Sequence, residues 1–362
     1  MNKILLTTGG TGGHIFPMLS LSTELKKVNN NNIKIITDQR AIKYINSDDI
    51  VIIKSDSPFR KKGLFHFILT ILKIFISTIR CLIFIISFRP KIIVGSGGYV
   101  SVPVLLASVI LRKKFLLYET NSVLGRVNRI FLPFCDKLLS GYKTIYNFPE
   151  KHKKKFNYIG QLVRAEFLNI SHNNSIEKIP EEKKLKILVL GGSQGAKVFG
   201  ERLPNCFKVL YEQKINIEIS QQIHKDQLDS LNDYYKKNFD MSVDLFVFKK
   251  NIYQYINEAD LIICRSGSST LSELSILKKP FIAIPLPTAL DNHQFFNADY
   301  FKKMGCCWIV DEKNDNFNDE IIKIIKEIYC SSDLYKNTKG NYDKLKIVNG
   351  TENFIKELIL IE

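Results

Sequence analysis

The strongest constraint on the fold is a unit that occurs twice: a hydrophobic strand pattern, a glycine-rich turn and then a helix pattern. The turns are Gly9–Gly13 near the start of the chain and Gly191–Ala196 past its middle. Such a unit typically begins a parallel sheet with helices on its faces. The chain has 362 residues, enough for two domains with separate cores. We therefore predict an α/β fold of two doubly wound, Rossmann-like domains that face each other across a cleft.

A ligand-binding pattern lies further along the second half. An apolar strand pattern, Leu261–Cys264, ends at the loop Arg265–Ser269, and a helix pattern opens at Thr270 before the next strand pattern. Ligands bind at the carboxyl ends of parallel strands, and the first turn of a helix favours an anion such as phosphate. Thr270 and Glu273 also have the spacing of a capping box, which would explain the helix start without a ligand. Both interpretations stay open at this point.

Glycine-rich turns also mark the predicted ligand-binding edge of the first half. Gly9–Gly13 follows the first strand pattern, and Gly95–Gly98 follows the pattern at Lys91–Val94. Glycines let a backbone approach a ligand closely. After the first turn, a helix pattern is predicted from Pro17 to about Lys27. The first turn does not match the G-x-G-x-x-G of dinucleotide-binding domains, because Ile15 occupies the last glycine position. A nicotinamide cofactor is therefore not expected.

Three polar residues at this edge are candidates for chemistry. His14 follows the first turn, where a neutral imidazole would take a proton from a hydroxyl or would hydrogen-bond within the loop. Glu119 and Asn121 follow another strand pattern at Phe115–Tyr118. A carboxylate and an amide in this position suit sugar hydroxyls or proton transfer. Glu119 would alternatively cap a helix.

The segment Leu64–Phe88 is almost entirely Ile, Leu and Phe, with polar residues at regular steps. The polar residues recur at the spacings of one helix face: His66, Thr70, Lys73, Ser77 and Arg80. They predict one narrow polar stripe opposite a wide apolar face. A membrane-spanning helix is disfavoured because Lys73 and Arg80 would lie near mid-span, costing roughly 2.5–3.5 kcal/mol each.

A helix lying in the membrane interface fits this segment better. Phe75, Ile76 and Phe84 would face the lipid, while Arg60–Lys62 and Arg89 at the two ends would meet anionic headgroups. The alternative is a helix buried between the sheet and its neighbours. The net charge of +16 suits an anionic membrane surface, and no nucleic-acid-binding motif is present.

Cysteine usage and the N-terminal residues indicate the compartment. The seven cysteines are odd in number and contain no CxxC spacing, which argues against a disulfide framework or a zinc site. The first apolar run is too short for a secretory signal. We expect the chain to stay in the cytoplasm.

Five segments together resemble the signature blocks of the MurG family, in the family's order: GGTGGHIFP, GSGGYVSVP, ETNSVLGRVN, GGSQGA and CRSGSSTLSELSILKKPFIAIPLPTALDNHQFFNA. The resemblance implies an inverting glycosyltransferase of the GT-B type. It would move N-acetylglucosamine from UDP-GlcNAc to the muramoyl C4 hydroxyl of lipid I, undecaprenyl-diphospho-muramoylpentapeptide. The implied location is the cytoplasmic face of the inner membrane, with other cell-wall synthesis proteins as further partners.

Other functions remain as alternatives to this one. A GT-B glycosyltransferase with a different lipid acceptor and a sugar-nucleotide epimerase share the fold. A membrane-bound scaffold would bind UDP-GlcNAc without turnover.

The resemblance also implies which residues bind the donor. The implied UDP-GlcNAc ligands are Thr11, Gly12, Gly13, Asn121, Arg164, Ser193, Lys249, Ile252, Ser268, Ser269, Thr270, Leu271, Glu273 and Gln294. Within this set, Arg164 and Ser193 would hold the diphosphate, Glu273 the ribose and Gln294 the transferred sugar. The segment Phe248–Ile252 would cradle uracil through backbone groups.

Acceptor binding is expected in the N-terminal domain. Its diphosphate would meet Gly13, His14, Gly97, Gly98 and Tyr99. His14 is the candidate catalytic base, and Glu119 is the alternative. The predicted domains are residues 1–163 for the acceptor and membrane, 164–345 for the donor, and a final helix in 346–362 that packs back on the first domain. The polar stretch 168–184 is predicted to be an interdomain linker.

No metal cofactor is expected, since no DxD motif follows a strand pattern and helix N-termini with Arg164 would stabilise the departing diphosphate. The sequence departs from the family pattern at five positions. Thr120 and His293 stand where the family has glutamine, Gln161 where it has asparagine, and Leu162 where it has proline. Lys249 stands where an apolar residue is usual. Of these departures, Gln161 lies next to Gly160, and Lys249 is at the expected uracil contact.

Overall fold

A computed structural model of the protein describes residues 2–9, 12–28, 32–44, 49–53, 64–171, 184–192, 195–240, 243–345 and 348–361. The chain divides into two compact units. The first unit comprises Met1–Arg164 with Val348–Glu362, and the second unit comprises Ala165–Ile347.

The described part of the first unit contains a parallel sheet of seven strands. They are β1 (Lys3–Thr7), β2 (Asn32–Thr37), β3 (Ile50–Ile52), β4 (Ile92–Gly95), β5 (Phe115–Glu119), β6 (Lys137–Ser140) and β7 (Phe156–Tyr158). Their order is β3-β2-β1-β4-β5-β6-β7, and each neighbouring pair is parallel. The order reverses between β1 and β4, so the turns after these strands meet where such sheets usually bind ligands.

Helices cover both faces of this sheet. They are α1 (Gly12–Lys27), α2 (Leu64–Phe88), α3 (Ser101–Ile110) and α4 (Arg126–Phe131). Alternate strand residues bury on opposite faces, as the pleat requires. Leu5 and Ile93 pack with Cys81 and Ile85 of α2, whereas Ile4 packs with α1 on the other side.

The second unit repeats the architecture with a parallel sheet of six strands in its described part. The strands are β8 (Leu185–Leu190), β9 (Ile217–Gln222), β10 (Val243–Phe246), β11 (Leu261–Cys264), β12 (Phe281–Ala283) and β13 (Cys307–Ile309). Their order is β10-β9-β8-β11-β12-β13, so the reversal lies between β8 and β11. The helices are α5 (Ala165–Ser171), α6 (Lys197–Glu212), α7 (Leu228–Asn238), α8 (Ile252–Glu258), α9 (Ser268–Ile276), α10 (His293–Lys303), α11 (Phe317–Cys330) and α12 (Ser332–Gly340).

The last helix, α13 (Gly350–Ile361), belongs to the first unit and packs against its sheet. Phe354 meets the ring of Tyr118 edge-on at 5.9 Å. The Glu357 carboxylate is 2.8 Å from Lys137 Nζ, and the Asn157 side chain donates to it at 2.7 Å. These contacts join the C-terminal residues to β5, β6 and β7.

Three predicted boundaries are wrong. α1 begins at Gly12 rather than near Pro17, so Gly12, Gly13 and His14 form a helical first turn instead of a loop. α9 begins at Ser268 rather than Thr270. The first residues of the polar stretch at 168–184, predicted as a linker, are helical in α5 up to Ser171, and residues 172–183 lie outside the described residues.

Candidate active site

The two glycine-rich turns of the first unit touch each other beside β1 and β4. A Cβ atom added at Gly98 would lie 3.3 Å from Gly9 Cα, which is closer than most Cβ contacts in proteins. Gly97 and Gly98 also adopt φ of +81° and +76°, a region that side chains rarely allow. The turns predicted to meet the acceptor diphosphate are therefore neighbours. Thr11 lies outside the described residues.

His14 is in the first turn of α1, and its ring is held by the turn after β4. His14 Nδ1 is 2.8 Å from the carbonyl oxygen of Ser96. A carbonyl only accepts hydrogen bonds, so Nδ1 carries the proton in the neutral ring and Nε2 carries the lone pair. This tautomer is the one that a base acting through Nε2 requires.

Glu119, at the end of β5, organises the turn that follows it. The buried carboxylate accepts hydrogen bonds from the backbone N–H of Asn121 at 3.0 Å and of Gly125 at 2.9 Å, and from Asn128 Nδ2 at 2.8 Å. Burial raises the pKa of Glu119, while these hydrogen bonds act in the opposite direction. Both carboxylate oxygens are engaged, so the geometry favours a role in positioning Asn121.

Asn128 was not predicted from the sequence and links Glu119 to the glycine turn after β4. Its side-chain amide would be 3.3 Å from a Cβ at Gly97, and its Oδ1 is buried without a hydrogen-bond partner among the described residues. Only its place inside the ETNSVLGRVN block hinted at a role.

Arg164 closes the first unit at the connection to the second. Its guanidinium lies 5.4 Å from the centre of the Phe16 ring in α1. The preceding segment departs from the family pattern, in which proline stands at position 162. Here the Leu162 N–H donates to Tyr118 Oη at 3.0 Å, a bond that proline lacks. Gly160 adopts φ of +94° with Val348 packed against it.

In the second unit, α9 begins without a side-chain cap. Its N-cap residue is Gly267, which has no side-chain oxygen to offer the first turn. Thr270 is already inside the helix, so the predicted capping box of Thr270 and Glu273 is wrong. Ser268, Ser269 and Thr270 form the first turn at the carboxyl edge of β11. Leu271 and Glu273 follow and are buried.

Gln294 lies in the first turn of α10 and is fixed by the segment after β12. Its Oε1 accepts the Leu286 N–H at 2.9 Å. The adjacent His293, which replaces a glutamine of the family pattern, turns back to the carbonyl oxygen of Leu290 at 2.8 Å. The His293 ring is thus hydrogen-bonded within its own loop.

Lys249, between β10 and α8, contacts its neighbours in the fold. Its Nζ donates to Tyr255 Oη at 2.6 Å and to the Asp244 carboxylate at 3.3 Å, above the Tyr255 ring. The hydrogen bond with Tyr255 raises the pKa of Lys249. Ile252 begins α8, and the neighbouring Phe248 is highly exposed.

The predicted residues therefore collect at the carboxyl edges of the two sheets, each within its own unit. The first unit carries Gly12, Gly13, His14, Gly97, Gly98, Tyr99, Glu119, Asn121 and Arg164. The second unit carries Lys249, Ile252, Ser268, Ser269, Thr270, Leu271, Glu273 and Gln294. Ser193 falls outside the described residues.

The surface of α2 differs from the prediction of a single polar stripe. Thr70 and Ser77 are buried, and α2 packs on α3, whereas Lys73 and Arg80 are exposed. The side opposite Thr70 and Ser77 exposes apolar side chains: Ile68, Leu72, Phe75, Ile76, Ile79, Ile83 and Ile86. We call these seven residues the apolar face of α2. Phe84 lies partly buried, stacked on Phe88 at 5.5 Å.

Within the described parts of the chain, one helical stretch, Ile68–Phe88, is long and apolar enough to cross a membrane by length and composition alone. Of its most apolar part, 28% is buried. The predicted basic cluster Arg60–Lys62 lies outside those parts.

Comparison with known proteins places this architecture in a family. The N-terminal domain of glycosyltransferase family 28 matches residues 4–140, and the C-terminal domain of that family matches residues 186–357. A UDP-N-acetylglucosamine--N-acetylmuramyl-(pentapeptide) pyrophosphoryl-undecaprenol N-acetylglucosamine transferase of Rickettsia canadensis is 36% identical over 341 residues. The alignment covers 94% of this chain and 92% of that protein. The chain belongs to the MurG family.

Further relatives agree with membership of the MurG family. The enzyme of the same name from Pelagibacter ubique is 34% identical, with 99% of this chain and 98% of that protein covered. The crystal structure of Acinetobacter baumannii MurG superimposes with a TM-score of 0.78 at 22% identity, covering 98% of both chains. A UDP-N-acetylglucosamine 2-epimerase has a TM-score of 0.66 at 13% identity, covering 99% of this chain and 95% of that one. The predicted GT-B fold of two Rossmann-like domains is confirmed.

Proposed function

We propose that this MurG-family protein transfers N-acetylglucosamine from UDP-GlcNAc to the muramoyl C4 hydroxyl of lipid I, with inversion, to give lipid II. The observation that carries the proposal is the similarity of at least 34% identity, over more than nine-tenths of the chain, to two transferases named for this reaction. The glycine turns and helix starts that such a reaction needs lie at the carboxyl edges of both sheets.

His14 is proposed as the base. The lone pair of Nε2 would accept the proton of the acceptor hydroxyl while that oxygen forms a bond to the anomeric carbon. The bond from the anomeric carbon to the UDP oxygen breaks at the same time, and its electron pair leaves with the diphosphate. Attack opposite the leaving group inverts the anomeric centre. The hydrogen bond from Nδ1 to Ser96 supports this role, because it sets the tautomer and the ring orientation.

The second unit is proposed to bind the donor. The first turn of α9, Ser268–Thr270, would meet the diphosphate, with N–H groups directed along the helix axis and a positive dipole end. Glu273 would bind the ribose and Gln294 the transferred sugar. Thr11, Asn121, Arg164 and Ser193 complete the proposed set of donor contacts.

We propose that the reaction needs no metal ion. Within the described residues, no three His, Cys, Asp or Glu side chains form a group that would hold one. Charge that builds on the departing diphosphate would instead be met by helix N-termini and by Arg164. The protein would then retain full activity in a chelator.

The apolar face of α2 is proposed to lie on the cytoplasmic face of the inner membrane. Phe75 and Ile83 have 61% and 64% of their surface exposed, although a soluble helix normally buries such side chains. Lys73 and Arg80 lie three and four residues from Ile76, so all three are neighbours on the helix surface. Their long side chains would reach anionic headgroups while the apolar face enters the lipid.

The decisive experiment for the reaction uses radiolabelled UDP-GlcNAc and a lipid I analogue, with and without EDTA. We expect a labelled disaccharide-lipid in equal yield under both conditions. His14→Gln should lower kcat by a factor of roughly 10² or more, whereas His152→Gln, in the 3₁₀ turn before β7, should not. Absence of product from the wild-type protein would refute the proposed function, and loss of product with EDTA would refute the metal-free reaction.

Membrane binding is tested by sedimentation with vesicles that contain anionic lipid. Each basic residue near such a surface contributes about 1 kcal/mol, so Lys73→Glu with Arg80→Glu should weaken binding by a factor of roughly 30 or more. Lys236→Glu with Lys237→Glu, both exposed on α7, makes the same change in net charge on the other unit. Equal losses for the two double variants would contradict a docking role for α2.

A further inference from the structure

Arg265 lies at the end of β11, directly before the start of α9, and has no role in the proposed reaction. Only 11% of its side-chain surface is exposed. A long cationic side chain is rarely buried to this extent without a structural or functional reason. The contacts of its guanidinium within the second unit indicate its role.

The guanidinium of Arg265 joins the segments that follow the neighbouring strands. Its Nη1 donates to the carbonyl oxygens of Ile284 at 3.1 Å and Pro285 at 3.3 Å, just beyond β12. Its Nη2 lies 2.6 Å from the Glu312 carboxylate, which follows β13. Its Cζ is 4.8 Å from the centre of the Phe199 ring, in the first turn of α6 after β8.

One planar cation thus contacts elements that follow β8, β12 and β13, and its own backbone follows β11. A guanidinium is suited to this because its donors form a rigid fork and its face stacks on an aromatic ring. Glu312 compensates its charge, so Arg265 is placed to connect segments of the protein.

The segments that Arg265 connects carry the proposed donor contacts. Ser266, the next residue, accepts a hydrogen bond through its carbonyl oxygen from Asn297 Nδ2 of α10 at 3.3 Å. Leu286, which follows Pro285, donates its N–H to the Gln294 side chain at 2.9 Å. The contacts of Arg265 therefore join the residues just before α9 to the segment that holds Gln294 in the first turn of α10.

We propose that Arg265 is a positioning residue for UDP-GlcNAc, which holds the phosphate-binding turn of α9 and the sugar-binding Gln294 in register. The inference rests on the proposed function of this site. Releasing the guanidinium lets the two helix starts move apart, so both groups no longer meet one donor molecule at once. A misplacement of about 1 Å in such a site costs on the order of 10²-fold in rate.

The test compares Arg265→Met and Arg265→Lys with a matched control, Arg202→Met. Arg202 also stacks on a phenylalanine, Phe317 at 4.3 Å, and donates to the Glu312 carbonyl oxygen at 2.7 Å. It therefore supports the same loop after β13 without touching α9 or the segment after β12. Measurements are KM and kcat for UDP-GlcNAc, KM for lipid I, the Kd of UDP by calorimetry, and Tm.

We expect both Arg265 variants to raise KM for UDP-GlcNAc and the Kd of UDP by roughly tenfold or more, with KM for lipid I unchanged. Lysine should not rescue, because it lacks the fork. Arg202→Met should lower Tm but leave both donor constants within a factor of two. Equal effects at the two arginines, or unchanged donor constants in Arg265→Lys, would overturn the proposal.

Two further measurements separate the role of Arg265 from the proposed function. If Arg265→Met does not fold, Glu312→Gln provides a milder test, because it removes the charge partner and should raise the Kd of UDP with no change for lipid I. A wild-type protein that binds UDP but forms no product refutes the proposed function, while the Kd series still tests Arg265. A wild-type protein that does not bind UDP overturns both.

Discussion

Glu119→Gln distinguishes a positioning role from direct proton transfer, because the substitution keeps the shape of the side chain and removes its charge. In the structure, Glu119 Oε1 accepts from the backbone N–H and the side chain of Asn121, at 3.0 and 3.4 Å. Oε2 accepts from the Gly125 N–H and from Asn128. Every partner is a donor, so the site is built for two acceptor oxygens.

The cost of the substitution follows from this geometry. Whichever way the amide is oriented, its NH₂ group replaces one oxygen and faces two donors. Two hydrogen bonds are lost at a fully buried position, and each loss costs about 1–3 kcal/mol. The variant should therefore lose about 2–6 kcal/mol, a large part of the roughly 5–15 kcal/mol that stabilises a typical domain. Asn121 would lose its position, so donor turnover should fall as well.

The assay must report on the first unit separately. The single tryptophan, Trp308, lies in β13 of the second unit, so its fluorescence follows unfolding of that unit. Hydrogen exchange at the amides of β5 follows the first. Glu119→Gln should accelerate exchange in β5 and leave the Trp308 transition in place. Glu150→Gln, at an exposed surface pair, should change neither by more than about 0.5 kcal/mol.

The reasoning would be refuted by a Glu119→Gln protein with wild-type exchange in β5 and no turnover. That result would mean that the amide is tolerated structurally and that the ionised carboxylate acts in the reaction itself.

Two other substitutions test supporting contacts. Lys249→Met keeps the apolar stem but loses the hydrogen bonds to Tyr255 and Asp244. It should raise KM for UDP-GlcNAc by roughly two- to tenfold and leave KM for lipid I unchanged. Lys250→Met is the control, and equal effects of the two substitutions would contradict a specific role for Lys249. Gly350→Ala places a Cβ against the Gln161 carbonyl oxygen and should lower the stability of the first unit by about 1–3 kcal/mol, measured by hydrogen exchange. Gly340→Ala, where a Cβ meets nothing within 4 Å, should have no such effect.

The fold could be predicted because its determinants are local in sequence. A buried strand, a glycine turn and a helix appear in consecutive residues at Gly9–Gly13 and Gly191–Ala196. Parallel pairing and the position of the ligand-binding edge follow from that order. The start of α1 could not be predicted, since glycine is a poor helix former and proline usually begins a helix. Contact between Gly9 and Gly98, distant in the sequence, accompanies the earlier start at Gly12.

The contacts that hold the site residues in place could not be predicted from the sequence for a similar reason. Arg265 was visible as part of a loop, but its partners lie 19, 20 and 47 residues further along the chain, at Ile284, Pro285 and Glu312. Patterns within one element reveal its periodicity and not its long-range partners. The prediction of one exposed polar stripe on α2 is wrong for the same reason. Thr70 and Ser77 have helical spacing with Lys73, but they are buried.

Three of the five departures from the family pattern share a physical feature that bears on function. The Leu162 N–H, absent from a proline, is accepted by Tyr118. The Lys249 ammonium is bound by Tyr255 and Asp244, and the His293 ring turns to its own loop. At these three positions the polar group has a hydrogen-bond partner within its own unit, which avoids the cost of an unpaired group. At a fourth departure, Gln161, the side-chain Nε2 is buried without a partner among the described residues. The substitutions therefore alter how the donor-binding segments are supported. Backbone groups of Phe248–Ile252 would recognise uracil. A change in the side chains that support this segment should therefore change KM for UDP-GlcNAc without changing which nucleotide is preferred. Competition of UDP against other nucleoside diphosphates in the Lys249→Met protein measures this directly, and a changed order of preference would contradict it.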